Sequence, residues 1–328
     1  MRFLLIALLL YSSAALANST RLPYQYHRVG SATDAVTTAE PGIVLAGGGK
    51  DMDAAFQWMC ALSGGGDFLI IRARGTDAYD AYVHDLCPGV NSVATLIIPD
   101  KQAAMHPDVA GKIAHAEAIW IAGGDQSDYI RAWTETPVQQ TLQSLIDRRI
   151  PIGGTSAGLQ ILTSFVYSAE GPSGVTSAQA LANPRNRLVT LRRNFLNIPL
   201  LNNTLGDPHF AVRDRMGRNI DFLCRIHDNG WSEQPRGIEV EESTALLIED
   251  DGLAFVVGEG SAYFLRTPNS SHICSRNGPL TFRNVEVYRI DAAGRFDVTT
   301  WTGNGGNAYT VSSMQGMLIS TQAGGSIY

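Results

Sequence analysis

From residue 42 to residue 160 the chain alternates two hydrophobic patterns. Short, nearly continuous apolar runs occupy residues 42–46, 67–72, 93–99, 117–122 and 150–153, most of them bounded by glycine or proline. Runs of this length, rich in Ile and Val, predict buried strands. Between them lie stretches in which apolar residues recur every three or four positions, such as Val138, Leu142, Leu145 and Ile146. That spacing predicts helices over 51–62, with Asp51 as its N-cap, and over 138–148. Strands and helices alternating in this way make βαβ units, hence a mainly parallel sheet with helices on both faces. From about residue 188 the pattern changes. A helix is predicted over 211–225, then short alternating runs at 237–240, 245–248, 253–257, 285–290 and 296–301. These read as antiparallel strands, either added to the sheet or forming a small satellite, with loops and a late strand after residue 302. No repeat and no Pro/Gly/Ser-rich linker divides the chain. Residues 41–328 therefore read as one α/β domain behind a polar arm at 18–40.

The first residues have a different character. Arg2, the apolar run from Phe3 to Leu10 and the small-x-small triplet Ala15-Leu16-Ala17 form a signal-peptide pattern over 1–17. The run is far shorter than the roughly 20 apolar residues that span a bilayer. The expectation is an exported chain, secreted or periplasmic, with no membrane partner. Export changes the meaning of four cysteines without a CxxC pair: an even number in an oxidising compartment predicts disulfides. Proximity in sequence favours Cys60–Cys87 and Cys224–Cys274 among three pairings. A net charge of −6 with no Lys/Arg run disfavours nucleic acid as a ligand.

Three glycine-rich turns follow the predicted strands, where open α/β sheets place their chemistry. Gly47-Gly48-Gly49 fits neither a phosphate-binding loop nor a dinucleotide fingerprint and reads as a tight turn. The second is Gly123-Gly124-Asp125-Gln126. The third, Gly154-Thr155-Ser156-Ala157-Gly158, is a G-x-S-x-G between an apolar strand and a helix-like segment at 159–165, which is the setting of a nucleophile elbow. A serine hydroxyl needs a base, normally histidine oriented by a carboxylate. Of seven histidines, His209 stands apart in Asp207-Pro208-His209-Phe210, just before Arg213, Arg215 and Arg218. Arg215 and Arg218, three apart, can share a helix face. Taken alone, the arginines fit a solvated basic helix face better than a binding site.

Together, the second and third turns, the Asp207-x-His209-Phe210-x2-Arg213-x-Arg215-x2-Arg218 segment and Gly237-Ile-x3-Glu242-x-Thr244-Ala245 resemble, in order and spacing, the motifs of cyanophycinases. Those enzymes are dipeptidase E-like serine peptidases on a flavodoxin-like fold related to class I glutamine amidotransferases. The resemblance covers roughly residues 40–325. It implies Ser156 as nucleophile, His209 as base and Glu242 as the orienting acid. Backbone N–H groups of Gly124 and Ala157 would receive the oxyanion, and Gln126, Asp207, Arg213, Arg215 and Arg218 would line the substrate pocket. Pro208 stands where the family often has Gln, which removes one hydrogen-bonding side chain and puts fine specificity in doubt. The implied substrate is cyanophycin, polyaspartate whose β-carboxyls carry arginine, with no metal or organic cofactor. A same-fold peptidase for small aspartyl peptides, or an inactive secreted binding protein, are the other readings, and a homodimer is left open. Should His209 fail to reach Ser156, His227 is the next candidate.

Overall fold

The computed structural model describes residues 22–268 and 278–328; the expected signal peptide at 1–17 and Cys274 lie outside the described residues. In chain order the first strands are β1 (Gln25–Gly30), β2 (Ile43–Ala46), β3 (Asp67–Arg72), β4 (Ser92–Ile97), β5 (Ala118–Ile121), β6 (Ile152–Thr155), β7 (Phe165–Tyr167), β8 (Leu191–Arg193) and β9 (Thr204–Asp207). They are followed by β10 (Arg236–Val240), β11 (Thr244–Ile248), β12 (Leu253–Gly258), β13 (Ala262–Arg266), β14 (Phe282–Ile290), β15 (Arg295–Asp297), β16 (Thr302–Asn304), β17 (Asn307–Met314) and β18 (Met317–Ser320).

The first sheet runs β1-β4-β3-β5-β6-β2-β11-β12-β15-β16. Its centre, β4-β3-β5-β6-β2, is parallel, as the βαβ pattern requires. Pleating explains why these strands are apolar throughout. In β3, Phe68 and Ile70 pack with Phe56 and Val83 of the helices Asp53–Leu62 and Tyr79–Leu86. Leu69 and Ile71 face the opposite way, towards Val109, Trp133 and Leu142 of helices on the other side. Strands covered on both faces have no polar face to show. Two details differ from expectation. The polar arm contains β1, antiparallel to β4; as an exposed edge strand it carries no apolar alternation to betray it. Helix Asp53–Leu62 is preceded by Met52 rather than capped by Asp51, whose carboxylate instead accepts a hydrogen bond from the Tyr79 hydroxyl at 2.9 Å.

The later strands are divided between two sheets. β11, β12, β15 and β16 extend the first sheet antiparallel from β2. The others form an eight-stranded second sheet, β18-β17-β14-β13-β10-β9-β7-β8, larger than a satellite. The two sheets share a core in which Phe264 of β13 stacks on Phe296 of β15 at 3.7 Å between ring centroids. The helix Ala157–Leu162 is buried in that core, while Met216–Asp228 packs on the outer face of the second sheet. The Cys60–Cys87 disulfide ties helix Asp53–Leu62 to the end of helix Tyr79–Leu86, as expected. Cys224 is also disulfide-bonded. Among the described residues, no helix is long and apolar enough to cross a membrane.

Candidate active site

The chain turns from β6 into helix Ala157–Leu162 through one residue, Ser156, with φ 53° and ψ −114°. A left-handed φ at a non-glycine residue carries strain and persists only where its surroundings enforce it. Here the Ser156 amide donates to Ala46 O of β2 at 3.0 Å, and its carbonyl accepts from Gln160 N at 3.2 Å. The glycines of the motif permit the close crossing. A Cβ on Gly154 would lie 2.7 Å from the Gly158 carbonyl carbon, and one on Gly158 would overlap Ile121 O. Ala157 opens the helix, where the first N–H groups have no partner within the helix. Gly123 abuts the serine, a Cβ there falling 3.5 Å from Ser156 Cβ. Gly124 follows it in a loop held from beneath by the Tyr129 hydroxyl, 2.7 Å from Ala122 O and 3.2 Å from Gly123 O.

Ser156 Oγ lies 2.7 Å from His209 Nε2, and His209 Nδ1 lies 2.5 Å from Glu242 Oε1. Three segments widely separated in sequence thus form one hydrogen-bonded chain. His209 is 6% exposed and also left-handed, at φ 50°. Its amide donates to Gly47 O at 2.8 Å, while Gly48 lies flat against the ring, so close that a Cβ on Gly48 would overlap Cε1. Ser243, beside Glu242, donates to Gly48 O at 2.8 Å. The Gly47-Gly48-Gly49 turn is therefore more than the tight turn read from sequence: it is the platform on which the imidazole rests. Burial pushes the His209 imidazole below the usual histidine range, helped by the charges of Arg213 and Arg215. The hydrogen bond to Glu242 pulls the other way. The net effect keeps the ring neutral at neutral pH, with Nδ1–H donated to Glu242 and the Nε2 lone pair facing the serine.

The expected pocket residues separate into two groups. Asp207 has no exposed surface, and Arg218 is 6% exposed. They meet each other: Arg218 donates to Asp207 through Nε at 2.8 Å and Nη2 at 2.5 Å. Arg215, with a side chain 12% exposed, donates to Asp207 Oδ1 at 3.0 Å and to Pro208 O at 2.7 Å. Burial pushes the Arg215 guanidinium down to about 10. The expectation that all of these residues line the pocket needs correction: Asp207 and Arg218 form a buried ion pair that braces the segment carrying His209. Only Arg213 projects, with 53% of its side chain exposed and Nη2 3.6 Å from Glu242 Oε1. Gln126, half-buried, donates to Tyr167 O at 3.1 Å. Pro208 is buried between Asp207 and His209. The helix expected over 211–225 begins only at Met216 because His209 and Asp214 are left-handed and the intervening residues form a turn.

The pattern of peptidase family S51 matches residues 95–256, a span that contains Ser156, His209 and Glu242. Cyanophycinase from Synechococcus elongatus is 26% identical over 275 residues, covering 79% of this chain and 80% of that protein. Cyanophycinase from Trichormus variabilis is 27% identical over 214 residues, or 63% and 66% of the two chains. The chain is a serine-type peptidase, similar over residues 95–256 to family S51. Its fold is shared with a peptidase from an acI-B1 actinobacterium, at a TM-score of 0.50 and 17% identity over 79% of this chain and 98% of that one. In this peptidase several supports of the site were invisible in sequence. Gln160 donates to Asp207 Oδ1 at 3.4 Å. Tyr328 accepts from Met216 N at 2.9 Å and donates to Asp214 Oδ1 at 2.9 Å, tying down the loop that carries Arg213. No motif marks such residues, because their role depends on where the chain returns to the site.

Proposed function

We propose that this peptidase is exported and hydrolyses cyanophycin, releasing β-aspartyl-arginine dipeptides through an acyl-enzyme on Ser156. The observation that carries the reading is the Ser156–His209–Glu242 hydrogen-bonded chain, in a peptidase whose relatives are cyanophycinases. Export rests on the signal-peptide pattern of residues 1–17. His209 Nε2 accepts the Ser156 proton as Oγ attacks an aspartyl carbonyl, and Glu242 stabilises the imidazolium that forms. The tetrahedral oxyanion is received by the N–H groups of Gly124 and Ala157; a donor of this kind typically contributes about 3–4 kcal/mol to the transition state. His209 then protonates the departing amine. Water, deprotonated by the same ring, attacks the ester and restores Ser156. Arg213, exposed beside Glu242, takes a free carboxylate of the substrate. Arg215 and Arg218 act through Asp207 by holding the His209 loop.

Purified protein incubated with insoluble cyanophycin should release soluble β-aspartyl-arginine, identified by mass spectrometry, and Ser156→Ala should release none. Turnover of short β-aspartyl peptides with no attack on the polymer would instead favour the small-peptide reading, in which Pro208 deprives the polymer of one hydrogen-bonding contact.

A further inference from the structure

Along the rim on the Gln126 side of the site, opposite charges succeed one another across three separate elements. Arg74, in the turn after β3, donates through Nε to Asp128 Oδ2 at 2.7 Å. Asp128 lies in the first turn of helix Gln126–Trp133, and Arg131, one turn on, is 3.9 Å from its other oxygen. Arg131 also donates to Ser127 Oγ. Glu170, just beyond β7, is paired at 2.7 and 3.0 Å with Arg192 of β8. The hydrogen bonds from Arg192 hold the Glu170 carboxyl below its usual range, and the charge of Arg131 adds to that effect. The helix and the end of β7 adjoin the site, and Arg74 and Arg192 are tied to them through Asp128 and Glu170. Helix Gln126–Trp133 begins just after Gly123 and Gly124, and Gln126 bonds to the carbonyl of Tyr167, three residues before Glu170.

The two signs are unequally exposed. The Arg74, Arg131 and Arg192 side chains are 74%, 56% and 59% exposed, whereas those of Asp128 and Glu170 are 22% and 20% exposed. The carboxylates are recessed anchors and the guanidinium groups project. Each guanidinium has five N–H donors. The contacts named above engage only one or two per arginine, so donors remain on the outer edge of each. Exposed ion pairs of this kind contribute little to folding stability, and an anchored guanidinium has already lost much of the freedom it would lose on binding a carboxylate. Arg213 projects beside Glu242, at the end of the Ser156–His209–Glu242 chain remote from the serine.

We infer that Arg74, Arg131 and Arg192 form an extended binding track for a chain that carries a free carboxylate at each repeat, leading it across Ser156 towards Arg213. The inference rests on the function proposed above and adds to it that the enzyme grips several repeats of the polymer at once. A short substrate reaches the serine without touching the track, whereas the polymer is held by it.

The test compares long cyanophycin with an oligomer of two β-aspartyl-arginine repeats, using wild type, the triple variant Arg74→Gln/Arg131→Gln/Arg192→Gln, and the corresponding triple Lys variant. The Gln variant should lose about tenfold or more in kcat/KM on the polymer, through KM, and keep wild-type kinetics on the oligomer. Added salt should weaken polymer turnover by the wild type more than by the Gln variant, and the Lys variant should recover part of the loss. Equal losses on both substrates, or none on the polymer, overturn the track. A wild-type enzyme inert towards both substrates would instead reject the function on which it rests. Should the triple Gln variant misfold, Arg192→Gln and Arg131→Gln singly carry the same comparison, each expected to raise KM for the polymer alone.

Discussion

At the scale of single residues, the site is a set of groups whose surroundings assign their protonation. His209 is held below the ordinary histidine value of 6.5 mainly by burial, with Arg213 and Arg215 adding to the effect and Glu242 opposing it. A general base works in its neutral form, so activity is lost as pH falls through the folded-state value. The acid limb of kcat/KM should therefore lie below pH 6.5. Arg213→Gln removes a positive neighbour and should move that limb up; Glu242→Gln removes the opposing pull and should move it down. A limb that ignores both substitutions would deny His209 the role of base. Ser156→Ala and His209→Ala should each cost on the order of 10⁴-fold or more in kcat, with the double variant scarcely worse, because the pair acts as one unit. Asp207 behaves differently. It is buried under two guanidinium groups, and Asp207→Asn leaves both short of a counter-charge. Breaking a buried pair in this way costs about 3–5 kcal/mol, which chemical denaturation would measure directly.

Among elements, the turn after β2 links the sheet to the chemistry. Gly47 and Gly48 accept hydrogen bonds from His209 N and Ser243 N, so one turn aligns both the base and the segment bearing its carboxylate. Gly48, at φ 88°, has the His209 ring where a side chain would stand. Gly48→Ala must displace the imidazole or strain the turn. Strain of this kind costs about 1–3 kcal/mol, whereas a misplacement of about 1 Å at a reacting group can cost on the order of 10²-fold in rate. The variant should accordingly remain folded and lose kcat far out of proportion to its drop in Tm. Wild-type kcat in Gly48→Ala would show that the ring has room to move.

Across the whole molecule, the two sheets bring the site together. Ser156 follows β6 of the first sheet, while His209 follows β9 of the second, and Glu242 lies in the crossover from β10 to β11. The shared core fixes their spacing, since Val240, Leu246 and Leu159 all pack within it. The Cys60–Cys87 disulfide lies on the outer helices rather than in this junction and closes a loop with a sequence separation of 27. On loop-closure arguments its removal, as Cys60→Ala/Cys87→Ala, should cost about 3–4 kcal/mol of stability and leave kcat nearly unchanged at temperatures where the protein stays folded. Loss of activity without loss of stability would mean that the bridge shapes the site.

The parallel half of the first sheet and the serine elbow were legible in the sequence because each rests on local physics. Strands buried on both faces must be continuously apolar, and a one-residue reversal between strand and helix requires glycine at the crowded positions around Ser156. The grouping of His209 and Glu242 with that serine came from motifs in a recognised order, not from any property of those residues alone. What the sequence could not determine depends on distant partners. Edge strand β1 has no buried face to pattern it, and the later strands look alike whether they join the first sheet or the second. Three arginines in one segment carry the same charge, yet Arg218 is spent on Asp207 while Arg213 faces solvent. Gly48 reads as a turn residue until the chain returns more than 150 residues later to lay an imidazole on it. Burial and partnership are properties of the packed chain, so only the tertiary structure separates a brace from a binding group.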